Sequence, residues 1–379
     1  MERMKNTRKI NILFLLPKAI QGGAETQLLY LIRGLNRNKF NLYLGFLYEF
    51  NEMKEDFNKI KDLKIINFKK KNSLDLSIYF KIAQFIRRDD IDIVHAFLGT
   101  HHAYLSALLA GKAVPVGGIM GAHDKEPPFA ERVQDITLGK FFTRLNNLVL
   151  VSCSYAGEED YIKKGFPAES VYAIPNGIDY DRFAEGSKNQ VIKEFNLKDK
   201  VVLGIVGRLV EVKNHDKLIR MFKELTVKYD NIVLLIVGAG PLMESLKKLA
   251  EELELTRKVI FTGNRKDIPD LLAAMDMFVF PSLTEGWPNS VGEAMAAGIP
   301  VVSFDVGDVK KVIRNGFDGF IVGKDMNKLM KVAENLIENP RLRKRVGENA
   351  RSKIKNNFSV ERMVREYETF YVKQLEKRS

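Results

Sequence analysis

Three features of the 379-residue sequence predict an α/β protein made of two doubly wound, parallel-sheet domains of similar size. The chain is longer than one hydrophobic core usually supports. Short apolar runs alternate with longer amphipathic stretches, and a strand–helix alternation of that kind favours a parallel sheet. The rhythm halts at a single turn-rich segment and then restarts. Composition agrees, because 45% hydrophobic residues with 24 Phe and only 12 Pro describe a chain that folds throughout.

The first run, KINILFLLP, follows basic residues and imitates a secretory leader. It is too short for a membrane span, no small-residue cleavage site follows it, and it reads as a first buried parallel strand. Neither a transmembrane helix nor secretion is expected. LYLGFLY, LKIINF, DIDIVHAF, VPVGGIM, NLVLVS and VYAIP read as the next strands, while AETQLLYLIRGL and LDLSIYFKIAQFIRR carry apolar residues at helical spacing. PNGIDYDRFAEGSKN, residues 175–189, has the turn chemistry of a linker able to act as a hinge. VVLGIVG, NIVLLIVG, KVIFTG, MDMFVFP and IPVVSFD then repeat the pattern, so that two Rossmann-like domains are expected at 1–183 and 184–358. The closing stretch, FSVERMVREYETFYVKQLEKRS, sets Val360, Met363, Val364, Tyr367 and Phe370 on one side of a helix that needs a partner surface.

The net charge of +12 is spread over both halves, with local runs at Lys69, Lys70, Lys71 and at Arg341, Arg343, Lys344, Arg345. No basic stretch is interleaved with stacking aromatics, so no nucleic-acid partner is expected. The single cysteine, Cys153, forms no internal disulfide and reads as a core residue in a reducing compartment. No Cys/His cluster has metal-site spacing, and Asp90-Ile91-Asp92 precedes a strand, at the edge away from the carboxyl ends where ligands bind; no metal is expected.

Chemistry concentrates in three places. In the turn after the first strand, Gly22 and Gly23 precede a helix, where free N–H groups and the helix dipole attract an anion; an ordinary strand–helix turn fits the same residues. In VGRLVEVKN, Arg208 and Lys213 fall beyond the carboxyl end of a strand and suit a pyrophosphate; a solvated pair of loop charges fits the same residues. In PSLTEGWPNSVGEAMAAGIP, a helix starting near Asn289 or Ser290 leaves Glu285 in the loop and Glu293 in the first turn, with Trp287, Pro288 and Asn289 shaping a sugar pocket. Glu293 suits two vicinal ribose hydroxyls and the helix-start N–H groups suit phosphate. Ser290-Val-Gly-Glu293 also has the form of a capping box, which explains Glu293 but leaves Glu285 unexplained.

GGAE, DIVHAF, GAHD, PNGID, VGRLVEVKN, VGAGPL, FTGN and the Glu-x7-Glu pair Glu285/Glu293 together resemble the retaining glycosyltransferases of family 4, over essentially the whole chain. The resemblance implies the GT-B architecture, with two domains facing across a cleft and the terminal helix 359–379 returning to the first. It also implies that Gly22 and Gly23 approach the donor phosphate or sugar and that Arg208 and Lys213 neutralise the diphosphate. On the same ground Glu285 contacts donor-sugar hydroxyls, Glu293 holds the ribose, backbone groups of Asn289, Ser290 and Val291 meet the phosphates, and His123 lies near the reacting centre. Glu285, His123, Arg208 and Lys213 are the expected catalytic set. The expected partners are a nucleotide sugar, with UDP favoured, and a saccharide or lipid-linked acceptor, in polysaccharide or glycoconjugate biosynthesis. No cofactor is expected. Location is expected in the cytoplasm, with peripheral contact at the anionic inner face of the plasma membrane through Lys69–Lys71. A GT-B epimerase, which needs no acceptor, and a non-catalytic GT-B binding subunit are the alternative functions.

Overall fold

The computed structural model describes residues 8–18, 22–49, 53–72, 74–119, 137, 139–145 and 148–378. It divides into two compact units, residues 1–177 with 360–379 and residues 178–359. The first boundary therefore falls at 177 rather than 183. The reason is packing: the short helix Tyr180–Ala184 lies against the helix Asn289–Ala296, inside the second unit. The second boundary falls at 359 rather than 358.

In the first unit, β1 (Ile10–Leu16), β2 (Phe40–Phe46), β3 (Leu63–Asn67), β4 (Ile93–Ala96), β5 (Val114–Ile119), β6 (Val149–Ser152) and β7 (Val171–Ala173) form one sheet in the order β3-β2-β1-β4-β5-β6-β7. Every pairing is parallel. The second unit repeats the scheme with β8 (Val201–Val206), β9 (Ile232–Val237), β10 (Val259–Gly263), β11 (Met277–Phe280), β12 (Val301–Phe304) and β13 (Phe320–Val322), ordered β10-β9-β8-β11-β12-β13 and again all parallel. A strand buried on both faces needs no alternation, which is why β9 reads IVLLIV with every residue buried. The apolar runs account for β1 to β12. β13 is missing from the sequence reading because it is three half-buried residues long, too short to show a period.

The strand order reverses direction between β1 and β4 in one unit and between β8 and β11 in the other. At such a switch point the two flanking loops leave in opposite directions and open a crevice at the carboxyl ends of the strands.

The terminal helix Val360–Glu376 packs in the first unit against the helix Gly23–Gly34. Gly34 permits the close approach, since a Cβ there would sit 2.5 Å from Val364 Cγ2. Met363, Val364, Tyr367 and Phe370 are buried, joined by Tyr371, whose hydroxyl lies 2.8 Å from His95 Nδ1. Phe14, Phe40 and Tyr367 surround that pair with tilted and edge-on rings. Where the chain passes between the units, Ile178 N–H donates to Phe358 O at 2.8 Å, and Gly177 exchanges two 3.0 Å hydrogen bonds with the Gln27 side-chain amide. Cys153 is buried at the end of β6. Among the described residues no helix is long and apolar enough to cross a membrane.

Candidate functional site

The crevice between β8 and β11 is built by stitching three loops together. After β8 the chain runs through Gly207 and an exposed Arg208 to a single turn at Glu211–Lys213, then enters the helix His215–Lys228 through Asn214, whose φ of 59° is left-handed. The Asn214 amide donates to Pro281 O at 3.2 Å, and Leu283 N–H donates to Val212 O at 2.7 Å. These bonds fasten the β8 loop to the loop after β11. The β12 loop closes in behind: Gly307, with φ of 48°, backs onto the Glu285–Gly286 peptide, and Asp308 N–H donates to Gly286 O at 3.2 Å. A side chain at Gly307 would collide with that peptide, so glycine is required by both space and dihedral.

The stitching brings Lys213 and Glu285 into a salt bridge. Both side chains are mostly sheltered, 18% and 13% exposed, so the pair is screened less than a surface pair would be. The Ser282 hydroxyl donates to the same carboxylate oxygen, Oε1, at 2.7 Å. Glu285 is thus anchored through Oε1, while Oε2 accepts no hydrogen bond among the described residues. The Lys213 ammonium also sits 5.3 Å from the centre of the Phe280 ring. Ser282 escapes sequence reasoning, because a serine three residues before a glutamate in a loop carries no signal until the loop's shape is known.

The helix following the Glu285 loop starts at Asn289, with Pro288 as N-cap and no side-chain cap bond. The capping box therefore does not form: Ser290 is already the second helical residue, because Pro288 O receives the N–H groups of Val291 and Gly292. Asn289 N–H goes to Trp287 O at 3.0 Å. Of the three backbone donors expected to meet phosphate, Ser290 N–H is the one without an acceptor among the described residues. Glu293 lies one turn further on. Desolvation pushes its carboxyl up to about 7, with the Arg182 charge pulling the other way. Trp287 is not a pocket wall: it is 7% exposed and packs on Phe358 at 5.3 Å, since burying the indole gains more than displaying it.

In the first unit, Gly22 caps the helix Gly23–Gly34 with an extended φ of −150°, a dihedral that does not itself require glycine. A Cβ there would lie 2.5 Å from Glu25 Oε2. Glu25 is buried beside the glycine pair, and desolvation raises its carboxyl pKa against a lowering hydrogen bond from its own N–H. His123 lies outside the described residues. Asp90 and Asp92 are engaged structurally: Asp90 pairs with Arg8 and Lys112, while Asp92 pairs with Arg8 and accepts Asn11 N–H at 2.8 Å.

Residues 21–182 match the family described as Glycosyltransferase Family 4, and residues 187–353 match Glycosyl transferases group 1. The chain is 27% identical to the N-acetyl-alpha-D-glucosaminyl L-malate synthase of Bacillus anthracis, over 78% of each protein. It is also 27% identical to the UDP-Gal:alpha-D-GlcNAc-diphosphoundecaprenol alpha-1,3-galactosyltransferase of Escherichia coli, over 79% of each. Among solved structures, that of Anabaena HepE in complex with UDP superposes with a TM-score of 0.81 at 20% identity, covering 97% of this chain and 100% of that one.

Proposed function

The chain belongs to the family 4, group 1 glycosyltransferases of GT-B fold, and on that premise we propose that it moves a hexose from a UDP-sugar to a hydroxyl of a saccharide or lipid-linked saccharide. It is a hexosyltransferase that uses a nucleotide sugar. The choice of UDP is supported by the UDP-Gal donor in the name of the Escherichia coli relative and by the UDP in the HepE complex. The lipid-linked acceptor is supported by the diphosphoundecaprenol named for that same relative.

The observation that carries this reading is the anchored Lys213–Glu285 pair at the β8/β11 switch point. In the proposed reaction the bond between the anomeric carbon and the diphosphate oxygen breaks, and the bond to the acceptor oxygen forms on the same face. The departing phosphate oxygen takes the acceptor's proton, which gives retention without a covalent intermediate. Charge grows on the diphosphate as it leaves. Lys213, Arg208 and the free Ser290 N–H stabilise that charge in this scheme, and no metal is assigned. Glu285 Oε2 holds donor-sugar hydroxyls, Glu293 takes the ribose, Gly22 and Gly23 approach the donor, and His123 serves near the reacting carbon. The product belongs to polysaccharide or glycoconjugate synthesis at the cytoplasmic face of the membrane.

The test is a panel of nucleotide sugars incubated with the protein, with and without short lipid-linked acceptors, read by mass spectrometry. Release of UDP with sugar transfer is the expected result. Conversion of a donor into its epimer without transfer would replace this reading with an epimerase, and binding without turnover would replace it with a non-catalytic subunit.

A further inference from the structure

We infer that Lys18 and Lys70, with His102 as a positioning residue, form a subsite in the first unit that holds a phosphate or diphosphate carried by the acceptor; this deepens the function proposed above and rests on it. Lys18 follows β1, Tyr48 follows β2, Lys70 follows β3, and His102 lies in the helix His101–Ala110 after β4. These residues therefore gather at the carboxyl ends of β1 to β4, where the β1/β4 switch point opens its crevice.

Backbone bonds hold the loops together. Tyr48 N–H donates to Pro17 O at 3.0 Å and Lys70 N–H to Leu47 O at 2.7 Å, so the chain after β1, β2 and β3 advances side by side past the sheet. Two ammonium groups then meet one ring: Lys18 Nζ lies 5.6 Å and Lys70 Nζ 5.7 Å from the centre of the half-buried Tyr48 ring. The lysine run is split by this arrangement, for Lys70 is half-buried while Lys69 and Lys71 are exposed.

His102 fixes where Lys70 points. Gly99 turns the chain with φ of 70°, and His102 Nδ1–H donates back to Gly99 O at 3.1 Å. That leaves Nε2 as the acceptor, and it receives the Lys70 ammonium at 3.1 Å. The imidazole is 4% exposed, with the Tyr79 ring at 5.5 Å and the His101 ring at 4.1 Å. Burial holds its pKa down to about 3, so it stays an acceptor at neutral pH.

Like charges drawn around one ring repel each other, and the ring's π-face offsets only part of that cost. An anion bound beside them offsets more. Lysine offers donors and no acceptor, so the pair selects a group rich in acceptor oxygens. A phosphate is such a group and lysine binds it as a point charge, whereas a sugar hydroxyl is donor and acceptor at once.

Calorimetric titration of the UDP-saturated full chain with inorganic pyrophosphate tests the subsite without any acceptor, since UDP fills the donor side. Binding is expected. Lys70→Gln and Lys18→Gln should each weaken it on the order of tenfold or more, the scale of one lost charged hydrogen bond. Lys61→Gln, which removes the same charge from an exposed position elsewhere in the unit, should leave it unchanged. Absence of binding overturns the inference, as does binding that Lys18→Gln and Lys70→Gln leave intact or that Lys61→Gln weakens equally. Transfer assays then identify the carrier, with one sugar offered as an alkyl diphosphate ester, as a free sugar phosphate and as an uncharged alkyl glycoside. Preference for the ester means a lipid-linked acceptor and preference for the sugar phosphate a soluble one; an equal KM for the uncharged glycoside overturns the charge requirement. His102→Phe should raise the acceptor KM as Lys70→Gln does, with kcat held, and His102→Gln, which keeps an acceptor at the Nε2 position, should restore it. A change in thermal melting without a change in KM would overturn the positioning role. If no donor is turned over, the proposed function fails while the pyrophosphate titration still decides the subsite.

Discussion

Glu293 holds its carboxyl near pH 7 because the protein removes water from it faster than Arg182 can compensate. Around neutrality the group is therefore divided between two forms, and only the carboxylate accepts hydrogen bonds from both ribose hydroxyls. Calorimetric titration with UDP should show affinity falling below a pH of about 7, with a limiting slope of about tenfold per pH unit. Glu293→Gln should flatten that profile; a flat profile for the unaltered protein would remove Glu293 from the ribose. Lys213 makes a different demand, since its ammonium is shared between Glu285 now and a leaving diphosphate in the proposed reaction. Lys213→Ala should lower kcat on the order of a hundredfold or more in steady-state assays. Near-normal kcat in that variant would place the leaving group elsewhere.

At the scale of elements, a buried polar contact within an aromatic cluster joins the terminal helix to the sheet. His95 Nδ1 meets the Tyr371 hydroxyl, and His95 Nε2 has no partner among the described residues. Burial holds the His95 pKa down to about 3, so the ring is neutral. Tyr371→Phe would leave both ring nitrogens unsatisfied in a dry site, and should cost about 1–3 kcal/mol in denaturant unfolding. The helix itself, its apolar stripe and the strands β1 to β12 were legible in the sequence, because each repeats a period or a continuous apolar run. What packs on them was not. Tyr371 became a core residue through a histidine 276 positions away, and Lys213 met Glu285 across 72. Local reading also failed where two local explanations competed: the Ser290/Glu293 spacing fits a capping box, yet Pro288 takes the cap, and Trp287 looked like a pocket wall until its partner Phe358 was in view. The residues beyond strand ends were legible as a group, since loops at a switch point need charge and glycine rather than apolar surface.

For the whole molecule, burial of titratable groups sets a different acid response in each unit. His95 and His102 in the first unit are lowered to about 3 and His215 in the second to about 4, chiefly by desolvation. A base with a depressed pKa stays neutral in the folded state while the unfolded chain gains protons below 6.5, so stability falls as pH drops through that value. Glu293 acts in the opposite sense: its raised carboxyl takes up a proton in the folded state first, so stability rises as pH falls from about 7 towards 4.5. In the second unit Glu293 and His215 offset each other. In the first unit two histidines act together, at up to about 3 kcal/mol per pH unit, opposed among the described residues by the upward shifts of Glu25 and Glu366. Trp287, the single tryptophan, reports on the second unit, whereas circular dichroism reports on both. As pH falls below 6.5 the urea transition seen by circular dichroism should move to lower denaturant ahead of the fluorescence transition; coincident transitions at every pH would contradict this assignment.

The placement of the helix Val360–Glu376 also sets an order of events during synthesis. The ribosome releases β1 to β7 first, then all of residues 178–359, and only afterwards the helix that covers His95 and Phe14. At roughly 5–20 residues per second the second unit takes on the order of ten to forty seconds to emerge. Throughout that interval the face of the first unit that carries His95 and Phe14 lacks the helix that covers it, while residues 178–359 already contain the whole of the second unit.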